Sequence, residues 1–143
     1  MNVEDLVELI APCGMNCGVC DKYLAFNHHL PKKRGKNGYC QGCRPQNKDC
    51  SFIKQKCKTK EIYEIRFCFE CTIFPCEMLV SGSKKYKARY NYDFVESLSF
   101  IKEKGVLQFI EWQSELHKCS KCGDTICIHN QKCYSCDRDQ LIF

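Results

Sequence analysis

No stretch of this 143-residue chain approaches the roughly 18 consecutive apolar residues that a membrane-spanning helix requires. The opening segment, MNVEDLVELI, lacks the basic n-region, apolar h-region and small-residue cleavage site of a secretory signal, so a cytoplasmic chain is expected. Histidine is scarce, at four residues, and neither HExxH nor an HxE followed by PCxxC occurs. That argues against the common hydrolytic and deaminating zinc sites. The regular alternation of strand-like and helix-like segments is also missing, so neither a barrel enzyme nor a thioredoxin-type βαβ unit is expected around the cysteines.

What the chain does have is cysteine, fifteen of them. In a cytosol kept reducing, closely spaced thiols act as metal ligands rather than disulfide partners, and an odd count does not close into a complete disulfide framework. Five CxxC pairs stand out: Cys17/Cys20, Cys40/Cys43, Cys68/Cys71, Cys119/Cys122 and Cys133/Cys136. Each is half of a tetrahedral site, because a tight turn lets both thiolates face one zinc ion at about 2.3 Å.

Cys119/Cys122 and Cys133/Cys136 lie close together in polar turns, with Gly123 supplying backbone freedom after the first pair, and read as a compact zinc ribbon. Cys127 and His129 sit between them as spare ligands. His129 is expected as a donor to a thiolate or as a surface histidine, since four thiols already complete the set. In the N-terminal part, Cys17, Cys20, Cys40, Cys43, Cys50, Cys57, Cys68 and Cys71 suffice for two further sites, while Cys13 and Cys76 are left over as substitute ligands, bridging ligands or buried apolar thiols. Spacing alone does not fix the pairing. Closed four-thiolate sites are structural, because a catalytic zinc keeps one position open.

Iron is the alternative cofactor, since thiolates suit iron-sulfur clusters as well as zinc. Cys13, Cys17 and Cys20 have the CxxxCxxC spacing of radical S-adenosylmethionine enzymes, but the chain is too short for their barrel, and the ferredoxin run CxxCxxCxxxCP is absent.

Between the cysteine zones, residues 77–118 contain none. Phe94, Leu98 and Ile101 form a one-sided stripe that predicts a helix, begun at Asn91 or Asp93 and ended at Gly105. Val106, Phe109, Ile110 and Leu116 predict a second helix beyond the glycine. Shorter helical turns are expected near Asp21 and after Pro75. The expected fold is thus a small, metal-stabilised α+β protein, largely irregular. It comprises a cysteine-rich N-terminal zinc module (11–80), a segment with two short helices (81–118) and a C-terminal zinc ribbon (119–137), packed as one unit and holding two to three zinc ions.

Charge is uneven. Lys32, Lys33, Arg34, Lys36, Arg44, Lys48, Lys54, Lys56, Lys58 and Lys60 face a single acid, Asp49, and Lys84, Lys85, Lys87 and Arg89 interleave with Tyr86 and Tyr90. Such blocks suit nucleic acid, with lysine on phosphate and tyrosine stacked on bases. Each four-thiolate zinc, however, carries about −2. Three of them would bring the formal +5 to about −1, so lysines among the cysteines have a local role beside thiolates. A protein partner is therefore expected rather than a nucleic acid.

The run Ala11-Pro12-Cys13-Gly14-Met15-Asn16-Cys17-Gly18-Val19-Cys20, followed by Cys40-Gln41-Gly42-Cys43-Arg44, Cys68-Phe69-Glu70-Cys71 and Phe74-Pro75-Cys76-Glu77, resembles the cysteine-rich bacterial and archaeal domain-of-unknown-function family 3795. Cys50 and Cys57 resemble its intervening cysteines, and the similarity extends over 11–136, with Cys127 as an addition. The resemblance implies metal binding and no reaction or catalytic residue.

Overall fold

The computed structural model describes residues 2–30, 39–45, 57, 59 and 61–141. Cys50 and every lysine or arginine of the 31–60 block except Arg44 lie outside the described residues.

The protein is small and mostly helical. In chain order the helices are α1 (Val3–Glu8), α2 (Asp21–Asn27), α3 (Glu77–Tyr90), α4 (Phe94–Lys104) and α5 (Val106–Leu116), with short 3₁₀ turns at Cys17–Val19, Glu61–Tyr63, Cys68–Glu70 and Arg138–Gln140. The β component expected from the sequence is limited, among the described residues, to three isolated antiparallel bridges, Ile10 with Asn16, Lys118 with Thr125, and Ile126 with Cys133. Short polar turns around cysteines leave too few residues for ladders to propagate.

The two predicted helices form where the apolar stripes place them. The Asp93 carboxylate accepts the Glu96 N–H at 2.9 Å and starts α4. Asn91 instead closes α3, in the left-handed conformation (φ 54°). Gly105, at φ 89° and ψ 160°, ends α4 and begins α5 in a single residue, a conformation that disfavours any side chain. Phe100 stacks on Trp112 across this hinge, ring centroids 4.8 Å apart.

Helix α3 is longer than the single turn expected after Pro75. Its inward positions, Leu79, Ser83, Tyr86 and Tyr90, follow helical spacing, but Ser83 hides the pattern, being polar yet 95 % buried. Its hydroxyl accepts the Val95 N–H at 3.2 Å and ties α3 to the start of α4. Helix α1 has no counterpart in the sequence reading. It is only six residues long and rests on a reciprocal cap between Asn2 and Asp5.

The main core joins the N-terminal cysteine segment to the helices: Ile10, Leu79, Leu98 and Phe109 are all but inaccessible, with Cys13 and Cys43 among them. Tyr92 fastens it. Its buried hydroxyl donates to the Gly14 carbonyl (2.6 Å) and accepts the Asn16 N–H (2.8 Å), and Asn16 in turn donates to the buried Gln113 side chain at 3.1 Å. A smaller cluster of Leu24, Ala25, Leu30, Cys127 and Tyr134 packs α2 against the C-terminal cysteine segment.

Candidate metal centres

After α5 the chain makes two successive cysteine turns. In the first, Cys119 N–H donates to the Asp124 carbonyl (2.6 Å), Gly123 N–H returns to the Cys119 carbonyl (2.9 Å), and Asp124 N–H points at the Cys122 sulfur (3.4 Å). In the second, Cys136 N–H points at the Cys133 sulfur (3.4 Å), while Asp137 accepts the Cys133 N–H through its carboxylate at 2.9 Å. Backbone N–H groups aimed at sulfur favour the thiolate form that a metal needs.

The four sulfurs of Cys119, Cys122, Cys133 and Cys136 all lie within 4.8 Å of one another. Cys119 and Cys136 are 4.0 Å apart, Cys122 and Cys133 3.5 Å. A disulfide requires sulfurs about 2.05 Å apart, so none of these is bonded. A tetrahedron with metal–sulfur bonds of about 2.3 Å has edges of about 3.8 Å, between the two observed values. This donor set could hold a tetrahedral metal ion. The backbone N–H groups of Cys122 and Lys121 draw the Cys119 thiol down to about 7, whereas Cys136 is pushed up to about 12, with Cys122 the largest cause. Cys119 is thus favoured as a thiolate while Cys133 and Cys136 are held toward the thiol, and a cation at the centre would favour the thiolate in each.

His129, a spare ligand in the sequence reading, is not part of this set. Its Nδ1 accepts the Asp21 N–H at 3.2 Å and its Nε2 lies 3.2 Å from the Tyr86 hydroxyl. With Cys20 and Asp21 it makes a second group whose ligand atoms lie within 4.8 Å of one another. Burial lowers the His129 imidazole and raises Cys20 to about 12. The neutral ring with an accepting Nδ1 holds the N-terminus of α2 to the C-terminal segment. Sequence reasoning had no means of finding this, because Asp21 and His129 are 108 residues apart.

Cys127 is fully buried in the smaller apolar cluster, and burial raises its thiol. It is a packing residue there. His28 is half-buried against Tyr134 and 3.7 Å from Asp124, while His29 is exposed.

Of the remaining candidate ligands, Cys13 and Cys43 are buried, and Cys17, Cys20, Cys40, Cys57, Cys68, Cys71 and Cys76 are half-buried. Cys40 donates its N–H to the Lys22 carbonyl at 3.2 Å, which brings the Cys40/Cys43 turn beside the start of α2, where Cys20 sits. Within that turn Gly42 N–H points at the Cys40 sulfur at 3.4 Å. Cys13, Cys17 and Cys20, the trio with cluster-like spacing, do not form a group within 4.8 Å among the described residues.

Arg44 shows one use of the basic block. Its guanidinium donates to the carbonyls of Ile10 (2.7 Å) and Arg66 (2.5 Å) and lies over the Phe67 ring at 4.9 Å. Burial and the nearby Arg66 lower its pKa. Tyr86 and Tyr90 pack edge-on against His129 and each other.

The molecule is thus a small helical protein that brings four cysteines into a group able to hold a metal ion. A family profile described as "Protein of unknown function (DUF3795)" matches residues 9–81, just over half of the chain, and the protein belongs to that family. The match covers the ten N-terminal cysteines and stops before Cys119, so the C-terminal group lies outside it. No curated protein and no solved structure matches the chain. No helix of the described residues is long and apolar enough to cross a membrane.

Proposed function

We propose that this protein is a structural zinc-binding module whose metal-built surface serves a protein partner in the cytoplasm. The observation that carries this reading is the Cys119, Cys122, Cys133, Cys136 group, whose sulfur separations of 3.5 and 4.0 Å bracket the edge of a four-thiolate zinc tetrahedron. In this reading residues 119–137 are a zinc ribbon, and Cys17, Cys20, Cys40, Cys43, Cys50, Cys57, Cys68 and Cys71 of the family-matched part hold the further ions of a total of two to three. A site closed by four thiolates leaves no position for water or substrate, so its contribution is to the fold.

The preference for a protein partner draws on the basic and aromatic residues. Arg44 is turned inward onto backbone carbonyls, and Tyr86 and Tyr90 are engaged with His129 instead of presenting open faces to bases. Leu107 and Leu116 of α5, by contrast, are more than half exposed. The reading is tested by pull-down from a lysate of the source cell with zinc-loaded and chelated full-length protein, followed by nuclease treatment. Protein partners captured only by the loaded form and resistant to nuclease support it. Capture that nuclease abolishes, or that chelation leaves unchanged, contradicts it.

A further inference from the structure

Hydrogen-bonding groups without a partner collect around one cavity. It has a volume of about 230 Å³ and is walled by α1, the turn at Cys17–Val19, α2, α5 and the first C-terminal cysteine turn. Leu6, Leu9, Val19 and Ile110 give it apolar sides. An engineered cavity of about 150 Å³ takes up benzene, and pockets for drug-sized ligands begin near about 300 Å³. The space therefore suits one ring or a short chain with a single polar end.

The polar residues of the wall say what that end must do. Gln113 is only 2 % exposed; its Oε1 accepts from Asn16 at 3.1 Å, which leaves its Nε2 with no hydrogen bond among the described residues. Tyr23 is 6 % exposed, and its hydroxyl is likewise without a partner among the described residues. Neither group is sealed off, and both residues line the cavity. His117 lines it too, and its Nε2 is the one wholly buried side-chain polar atom without a partner among the described residues. Buried polar groups are as a rule hydrogen-bonded, so their accumulation in one wall calls for an occupant that supplies the missing bonds. Water meets only part of this need. A cavity of this size holds several waters, and those lying against Leu6, Leu9 and Val19 would lack the two to four polar partners that an ordered water requires. Exchanging them for an apolar group is favourable.

Charge narrows the occupant further. No lysine or arginine lines the cavity to hold an anion. Its single acid, Asp124, already accepts the Thr125 N–H at 2.7 Å and the Ser135 hydroxyl, so it is not free for a cation. An unpaired charge would be costly to desolvate here.

We propose that this cavity binds a small uncharged molecule with an apolar body and a polar end of carboxamide type. The carbonyl oxygen of that end accepts from Gln113 Nε2, its N–H donates to the Tyr23 hydroxyl oxygen, and the body packs against Leu9, Val19 and Ile110. The assignment does not depend on which ion the neighbouring cysteine turn holds.

The test is titration of the full-length, isotope-labelled protein with benzamide, followed by nuclear magnetic resonance, beside parallel titrations with toluene and benzoate. The expected result is saturable shifts grouped at Leu9, Val19, Tyr23, Ile110 and Gln113, with the Gln113 side-chain amide signal among them. Toluene and benzoate should bind about tenfold more weakly or worse, the first for want of a polar end and the second for its charge. Tyr23→Phe removes a hydroxyl that bonds nothing in the protein, so its melting temperature should be unchanged while benzamide binds about fivefold more weakly. Absence of saturable shifts, shifts grouped elsewhere or an unmoved Gln113 side-chain signal overturns the proposal. So does toluene or benzoate binding as tightly as benzamide, or an unchanged affinity in Tyr23→Phe.

Discussion

The Nδ1 atom of His129 accepts the backbone N–H of Asp21 at 3.2 Å, joining the first residue of α2 to a loop that lies between the two C-terminal cysteine turns. The first backbone N–H groups of a helix have no partner within it, and this imidazole supplies one from the far end of the chain. The same ring meets Tyr86, so three separated segments depend on it.

Replacing His129 by Ala is expected to cost about 1–3 kcal/mol, measured by urea denaturation of the zinc-loaded protein, because a part-buried helix N–H and the Tyr86 hydroxyl lose their partner. The zinc count should not change. Loss of one ion in the variant would make His129 a ligand, with Cys20 and Asp21.

Tyr92→Phe removes only an oxygen, yet it strands the Gly14 carbonyl and the Asn16 N–H together. A loss of about 2–4 kcal/mol is expected on chemical denaturation, since each stranded group carries its own desolvation cost. An effect below about 0.5 kcal/mol would mean that water reaches both groups, as it does at ordinary surface positions.

Gly14 and Gly105 separate two ways in which a glycine is required. A Cβ on Gly14 (φ 88°) would lie 2.9 Å from both Leu98 Cγ and the Phe94 carbonyl oxygen, whereas one on Gly105 (φ 89°) would meet nothing within 4 Å. Gly105→Ala therefore carries backbone strain alone, about 1–3 kcal/mol, and Gly14→Ala is expected to exceed it by adding a collision with core backbone. Thermal melts of the two variants in parallel check the order. A Gly105→Ala protein less stable than Gly14→Ala would contradict it.

The sequence made α4 and α5 legible because Phe94, Leu98, Ile101 and Phe109 repeat at helical spacing and Gly105 interrupts them. It made the C-terminal cysteine group legible because its four cysteines are close along the chain. Helix α3 was seen only at its start, since Ser83 occupies a core position through a hydrogen bond that no pattern of hydrophobicity encodes. The role of His129 and the burial of Cys127 depend on contacts between distant segments. Such contacts arise from packing, and residue spacing does not carry them.

Removal of metal should act unevenly. Residues 118–137 have little apolar interior beyond Cys127, Ile128, Cys133 and Tyr134, while Leu79, Leu98 and Phe109 give the helices a core of their own. A structural zinc contributes on the order of 10 kcal/mol to a small module. Chelation is therefore expected to abolish amide protection in 118–137 first and to lower the melting temperature of the whole chain, followed by hydrogen exchange. Because bound thiolates must shed their protons, the same loss should occur on acidification without chelator. Unchanged exchange in that segment after complete metal removal would contradict a structural ion there.

The most direct test is the metal content of purified full-length protein beside that of Cys122→Ser, by elemental analysis and native mass spectrometry. Two to three zinc ions per chain are expected, with one fewer in Cys122→Ser. A protein that retains its fold without metal, a brown protein carrying iron, or a Cys122→Ser variant with the full zinc count would contradict the account.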